Sequence, residues 1–164
     1  MRNEMEITFD AISDNEGFAR VAVSAFVAHL NPTLEELADI KTAVSEAVTN
    51  SIIHGYENLY GYGGTKGRPA ERSRVNPGKV KLYCLLEDDI LHIQVTDNGK
   101  GIRDVEQAME PLFTTKPELE RSGMGFAFME AFMDELHVHS EVGKGTVVTM
   151  YKKIGLGAWI DSEE

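Results

Sequence analysis

Cysteine is almost missing from this 164-residue chain. Cys84 stands alone, so no internal disulfide can form and no zinc–thiolate cluster can assemble. Long apolar runs are missing as well. The stretches around Val21 to Leu30 are broken by Arg20, Ser24 and His29, well short of the roughly 18 uncharged residues that a membrane span needs. Residues Met1 to Glu6 hold no apolar core of a secretion signal, and with the lone thiol this points to a reducing cytoplasm. Basic charge is in deficit: 16 Lys and Arg against 27 Asp and Glu, a net charge of −11. An acidic body disfavours direct nucleic-acid binding. What remains is 42% apolar and 26% charged, the balance of a soluble globular chain with enough apolar mass for a sizeable core. Its length suits one domain over residues 1–154, followed by an acidic tail at 155–164. There is no internal repeat.

The patterns along the chain alternate between two periods. Met5, Ile7, Phe9 and Ala11 alternate with polar residues, which predicts a strand with one wet face that could form a sheet edge. Asp14 or Asn15 is placed to cap a helix reaching about Leu30, with Phe18, Val21, Ala22, Ala25, Phe26 and His29 at helical spacing. Thr33 and Glu36 match a capping box for a second helix running to Gly55, a candidate left-handed terminator. Residues 59–78 are rich in glycine and carry five basic side chains with Lys79 against Glu71 alone, so a long basic loop is expected there. Strands are predicted at 80–86 and 90–97, a short helix near 104–109, an irregular stretch at 110–122, a helix at 125–135, and strands at 136–142 and 146–153. This order implies a two-layer α/β sandwich of the α+β kind. Its sheet is mixed but mainly antiparallel, with helices on one face.

Several positions break these patterns. On the second helix Leu37, Ile40, Val44, Ala47, Val48 and Ser51 form one stripe, while Glu46 and Asn50 lie four apart on another face, with His54 one turn on. Alone, that second face reads as solvated surface. The strand at 90–97 points Leu91, Ile93 and Val95 to one side, and the period of two sets Asp97 there too. A carboxylate ending a core-facing row is costly unless donors meet it. Gly99 and Gly101 follow at once, and residues without side chains leave room for a close-lying ligand. Ser122-Gly123-Met124-Gly125 opens a helix, whose first N–H groups suit a phosphate. Gly143-Lys144-Gly145-Thr146 leads into the last strand. No second metal ligand lies at suitable spacing from His54, Cys84 alternates with core residues, and Met124, Met129 and Met133 are helical packing.

In chain order these are Glu-x-x-x-Asn on a helix, Asp-x-Gly-x-Gly after a strand, Gly-x-Gly at a helix start and Gly-x-Gly-Thr before a strand. The set resembles the N, G1, G2 and G3 boxes of the Bergerat-fold (GHKL) ATP-binding superfamily, which includes gyrase, Hsp90, histidine kinases and MutL. The segments Glu46 to Tyr56 and Pro111 to Phe126, and the start Met1 to Met5, are similar to the SpoIIAB family of anti-sigma F factors and serine kinases of endospore-forming bacteria. The basic stretch at 60–77 is longer than that family's connection, and the tail with Trp159 has no counterpart in it.

The resemblance implies ATP or ADP and Mg²⁺ as cofactors. It assigns Asp97 to the adenine amino group, Thr146 to the same pocket, Asn50 to the metal and Glu46 to the proton of an attacking hydroxyl. Gly99 and Gly101 belong to the base pocket. Thr115, Lys116, Arg121, Ser122, Gly123, Met124, Gly125 and Phe126 fold over the phosphates as a lid. It further implies a cytoplasmic homodimer that holds a sigma F-like factor and phosphorylates a serine on a SpoIIAA-like anti-anti-sigma protein, regulating sporulation. Alternatives are the anti-sigma B kinases of general stress, a histidine-kinase catalytic fragment, and a non-catalytic nucleotide-gated binding module. Only about 30 residues precede the second helix, too few for the dimerisation hairpin of a histidine kinase.

Overall fold

The computed structural model describes residues 1–56, 78–111 and 124–155. Five strands form one sheet: β1 (Arg2–Asp10), β2 (Lys79–Glu87), β3 (Ile90–Asp97), β4 (Glu135–Glu141) and β5 (Gly145–Lys153). Their spatial order is β1-β2-β3-β5-β4, which leaves β1 at one edge as expected and β4 at the other. Every neighbouring pair is antiparallel, so among the described strands the mixed sheet anticipated from the sequence is antiparallel throughout. For β2–β3, and for β4–β5 with its three-residue link, the reason is local. β2 and β3 are joined by the two residues Asp88 and Asp89, with Asp88 in the left-handed region at φ 54°. Turns this short reverse the chain, whereas a parallel pair needs a crossover.

Four helices cover the sheet: α1 (Asp14–Val27), α2 (Leu34–Asn50), α3 (Val105–Met109) and α4 (Gly125–Phe132). Every second residue of β2 and β3 is buried, namely Val80, Leu82, Cys84 and Leu86, then Leu91, Ile93 and Val95. Against them lie Val23 and Val27 of α1, Ile40, Val44 and Val48 of α2, and Met129 of α4. Burying each such side chain is worth about 1.5–3 kcal/mol, so this layer is the main source of stability.

Two local devices fix α2. Thr33 Oγ1 accepts the Glu36 N–H at 3.1 Å and Glu36 Oε2 accepts the Thr33 N–H at 2.7 Å, the reciprocal capping box read from the sequence. The other Glu36 oxygen accepts the Gly155 N–H at 2.9 Å, tying the chain beyond β5 to the start of α2. Lys152 of β5 reaches across the core edge. Its Nζ lies 3.0 Å from Asp39 of α2 and donates to the Phe132 carbonyl, closing the C-terminus of α4, at 2.7 Å.

Some expectations are corrected. The stripe of α1 is Ala19, Val23 and Val27, while Phe18 and Val21 are exposed at 52% and 66%. Both helix faces carry apolar residues, and the small Ala19 is the one that packs beneath. Ser13 occupies the α1 N-cap position, and Asn15 instead donates to the Asp10 carbonyl at 2.9 Å. Gly55 is not a left-handed terminator. After Asn50 the chain continues as a π-helical turn over Ser51–Gly55, and the positive-φ glycines lie elsewhere. α4 ends at Phe132 because Met133 is extended. Apart from Gly78 and Gly155, the basic loop expected at 59–78 and the acidic tail at 155–164 lie outside the described residues. Among those residues no helix is long and apolar enough to cross a membrane.

Candidate functional site

Asp97 sits where the pleat of β3 predicts, at the end of the buried row and only 4% exposed. Burial pushes its carboxyl above the usual carboxylate range. Hydrogen bonds from the Gly99 N–H (2.9 Å to Oδ1), the Ser51 hydroxyl and the Thr146 N–H pull it back. These donors come from three places: the turn after β3, the π-helical turn after α2, and the start of β5. An isolated π turn is a rarity, frequent at functional sites. Here it turns Ser51 toward the acid and brings Gly55 flat against it. A Cβ on Gly55 would stand 3.0 Å from both Cγ and Oδ1 of Asp97.

Gly99 serves a different neighbour from the one expected, while Gly101 lines the cavity beside Asp97. A Cβ on Gly99 would meet the Gly55 carbonyl oxygen at 2.1 Å, and the Lys100 N–H donates to that oxygen at 2.8 Å. Backbone, not ligand, therefore occupies the space that a side chain at 99 would need. Gly101 adopts φ 74°, and there a Cβ would stand 2.2 Å from the Glu141 carbonyl oxygen. Tyr56 braces the same turn. Its hydroxyl donates to the Lys79 carbonyl at 2.6 Å and accepts the Asn98 N–H at 2.9 Å, and burial raises the phenol pKa.

Beside this acid a cavity of about 410 Å³ opens, lined among others by Asn50, Asp97, Gly101, Gly125, Phe126 and Thr146. That volume lies in the range of sites for small organic molecules. Its walls combine apolar surface (Ile102, Phe126, Val148) with polar and charged groups, among them Asp97, Thr146, Asn50, His54, Lys100 and Arg103. Such a lining suits a flat heterocycle with a polar edge.

At the other end of the cavity the face of α2 carrying Glu46 and Asn50 is covered. Gly125, the first residue of α4, lies so close that a Cβ there would stand 3.2 Å from both Asn50 Oδ1 and Glu46 Oε2. The face that alone would read as solvated is thus half-buried, and two oxygen-bearing side chains converge on a helix N-terminus. Free N–H groups and the positive end of the helix dipole favour an anion at that point.

The structure brings together most of the residues singled out in the sequence. Asn50, Asp97, Gly101, Gly125, Phe126 and Thr146 line the cavity. Glu46 adjoins it at Gly125, Met124 holds the N-cap position of α4, and Gly99 backs Asp97 without lining the space. Thr115, Lys116, Arg121, Ser122 and Gly123 lie outside the described residues. Sequence reasoning passed over Ser51 as a donor, Tyr56 as a brace and Ser140, which contacts Thr146. Ser51 had a signal, a hydroxyl on the buried stripe of α2; the other two depend on pairing between distant elements.

The chain is similar to known proteins. Residues 13–152 match the histidine kinase-like ATPase domain family. The chain is 56% identical over 155 residues to the anti-sigma F factor of Geobacillus kaustophilus, with 94% of each chain covered. It is 55% identical over 154 residues to that of Clostridium perfringens, covering 94% of this chain and 99% of the relative. The solved RsbU and RsbW domains of Rv1364c from Mycobacterium tuberculosis share the fold, with a TM-score of 0.61 at 21% identity over 93% of this chain and 32% of that one. Membership of an ATPase domain family implies that the chain binds nucleotide. The chain belongs to the anti-sigma F factors within the histidine kinase-like ATPase family.

Proposed function

We propose that this chain is an ATP-dependent protein serine kinase that also holds a sigma F-like factor away from transcription, acting in the cytoplasm as a homodimer. The observation carrying the reading is the convergence of Glu46 and Asn50 on Gly125 at one end of a cavity whose other end is the buried Asp97. Asp97 accepts a hydrogen bond from the adenine amino group, with Thr146 beside it. Asn50 would hold Mg²⁺ through its amide oxygen, the hard type of ligand that this ion takes. When bound, that ion neutralises charge on the β- and γ-phosphates. The α4 N-terminus, opened by Gly125, would offer its N–H groups to the phosphates. Glu46, one turn before Asn50 on α2, accepts the proton of the attacking serine hydroxyl. The serine belongs to an anti-anti-sigma protein of the SpoIIAA type, as the sequence resemblance supports; the relatives' names support the sigma-factor partner.

The test is incubation with labelled ATP, Mg²⁺ and an anti-anti-sigma protein, reading phosphoserine. Transfer should appear with wild type and fall by about 10²–10⁴ with Glu46→Gln, the usual worth of a general base. Nucleotide affinity should stay within a few-fold. A folded protein that binds nucleotide yet gives no phosphoserine would reduce the chain to a nucleotide-gated binder. Pull-down against sigma F-like and sigma B-like factors decides the partner branch.

A further inference from the structure

Behind the base end of the cavity, and outside its lining, Ser140 of β4 makes three close polar contacts. The Ile102 N–H donates to its hydroxyl oxygen at 2.7 Å. The Gly145 carbonyl oxygen lies 3.0 Å away and Thr146 Oγ1 2.8 Å away. A serine hydroxyl has one proton and two lone pairs. The Gly145 carbonyl cannot donate, so its contact is a hydrogen bond when Ser140 supplies the proton. Thr146 must then supply the proton on the 2.8 Å contact. One arrangement satisfies all three: Ile102 and Thr146 donate to Ser140, and Ser140 donates to Gly145. With the proton sent the other way, two oxygens would face each other at 3.0 Å with nothing between them.

We infer that Ser140 is a positioning residue for nucleotide selection: it draws the Thr146 proton away from the cavity and leaves Thr146 facing the base as an acceptor. Asp97, paired with Thr146 across β3 and β5, is also an acceptor. Two acceptors side by side suit the exocyclic amine of adenine and repel the carbonyl that inosine or guanine carries at the same position. Selection against such bases comes from an unpaired acceptor in a buried site, which is how polar pockets discriminate strongly. Ser140 also anchors Ile102, and the Gly143 N–H donates to the Lys100 carbonyl at 2.8 Å, so two hydrogen bonds tie the loop after β3 to the β4–β5 end. This inference rests on the proposed role of Asp97 and Thr146 at the purine edge.

The experiment titrates ADP and IDP into the full chain by calorimetry, comparing wild type with Ser140→Ala and Ser140→Thr. Wild type should prefer ADP. Ser140→Ala frees the Thr146 proton to rotate toward the base and should narrow the ADP-to-IDP ratio about tenfold, mainly by tightening IDP, since one hydrogen bond is at stake. Ser140→Thr keeps the hydroxyl and should restore the wild-type ratio. An unchanged ratio in Ser140→Ala, or an equal loss for both nucleotides, overturns the inference and leaves Ser140 a structural residue. If wild type binds ADP and IDP alike, the purine-edge reading itself fails and takes this inference with it. Should Ser140→Ala not fold, Thr146→Val and Thr146→Ser ask the same question. Val should narrow the ratio and Ser preserve it, and a Val variant with the full ratio refutes the inference.

Discussion

Replacing Gly99 by alanine separates two reasons for a glycine beside Asp97. The added Cβ would stand 2.1 Å from the Gly55 carbonyl oxygen and 2.4 Å from its carbon. Ordinary contact begins near 3.5 Å, and both obstructing atoms are backbone, so the turn after β3 must move away from the π-helical turn by more than about 1 Å. That movement breaks the Lys100 N–H to Gly55 bond (2.8 Å) and strains the Gly99 N–H to Asp97 bond (2.9 Å). Two hydrogen bonds at about 1 kcal/mol each, plus about 1–3 kcal/mol of overpacking, give a loss of about 3–5 kcal/mol. For a chain of this size each kcal/mol moves Tm by about 2–4 °C, so a fall on the order of 10 °C is expected. Gly143→Ala is the control. Gly143 has φ 82° with nothing within 4 Å of a Cβ, so it should cost only the left-handed strain of about 1–2 kcal/mol. Urea unfolding without nucleotide reads both variants. A Gly99→Ala protein with wild-type stability that has lost nucleotide binding would show that the glycine clears space for ligand, and the backbone argument would be wrong.

Three further outcomes follow from the same coordinates. Burial pushes the Cys84 thiol up to about 12, so the folded chain should ignore a thiol-specific disulfide reagent at pH 8 and react fully once denatured; fast labelling of the native protein would contradict the core placement. Asp97 is an acid whose pKa is higher folded than unfolded, so its ionisation costs stability, a cost absent below the unfolded value near 3.8 and complete above the folded one. The stability of Asp97→Asn minus that of wild type should therefore rise with pH across that window, and a flat difference would remove burial as the cause. Thr33→Ala, by opening the capping box of α2, should cost about 1 kcal/mol in urea unfolding and leave the ADP-to-IDP ratio unchanged.

What the sequence disclosed divides along the line between local and distant physics. The capping box at Thr33 and Glu36, the alternation of β2 and β3, and the inward turn of Asp97 depend on neighbours within a few residues, and all were legible. The buried face of α1 was not, because Phe18 and Val21 are as apolar as Val23 and Val27, and only packing against α2 chooses between them. The same applies to Glu46 and Asn50. Their spacing is visible in the chain, yet nothing near them says that α4 covers that face; Gly125, 75 residues past Asn50, does so. Gly55 and Gly99 were each noticed as glycines and each given a separate role. Their shared reason is mutual contact across 44 positions, which no local pattern carries.

The Asp97 end of the cavity shows why such a position stands out in a sequence. A buried carboxylate weakens a fold unless donors surround it, and at Asp97 the donors come from Gly99, Ser51 and Thr146, on three separate elements. Each donor is itself held: Gly99 by its fit against Gly55, Ser51 by the π turn, Thr146 by Ser140. A chain selected for stability alone would end the row Leu91, Ile93, Val95 with another aliphatic residue and keep none of these devices. Their presence together supports the proposal that the acid is kept for a partner in the cavity, and the break in hydrophobic periodicity at 97 is the mark of that acid in the sequence.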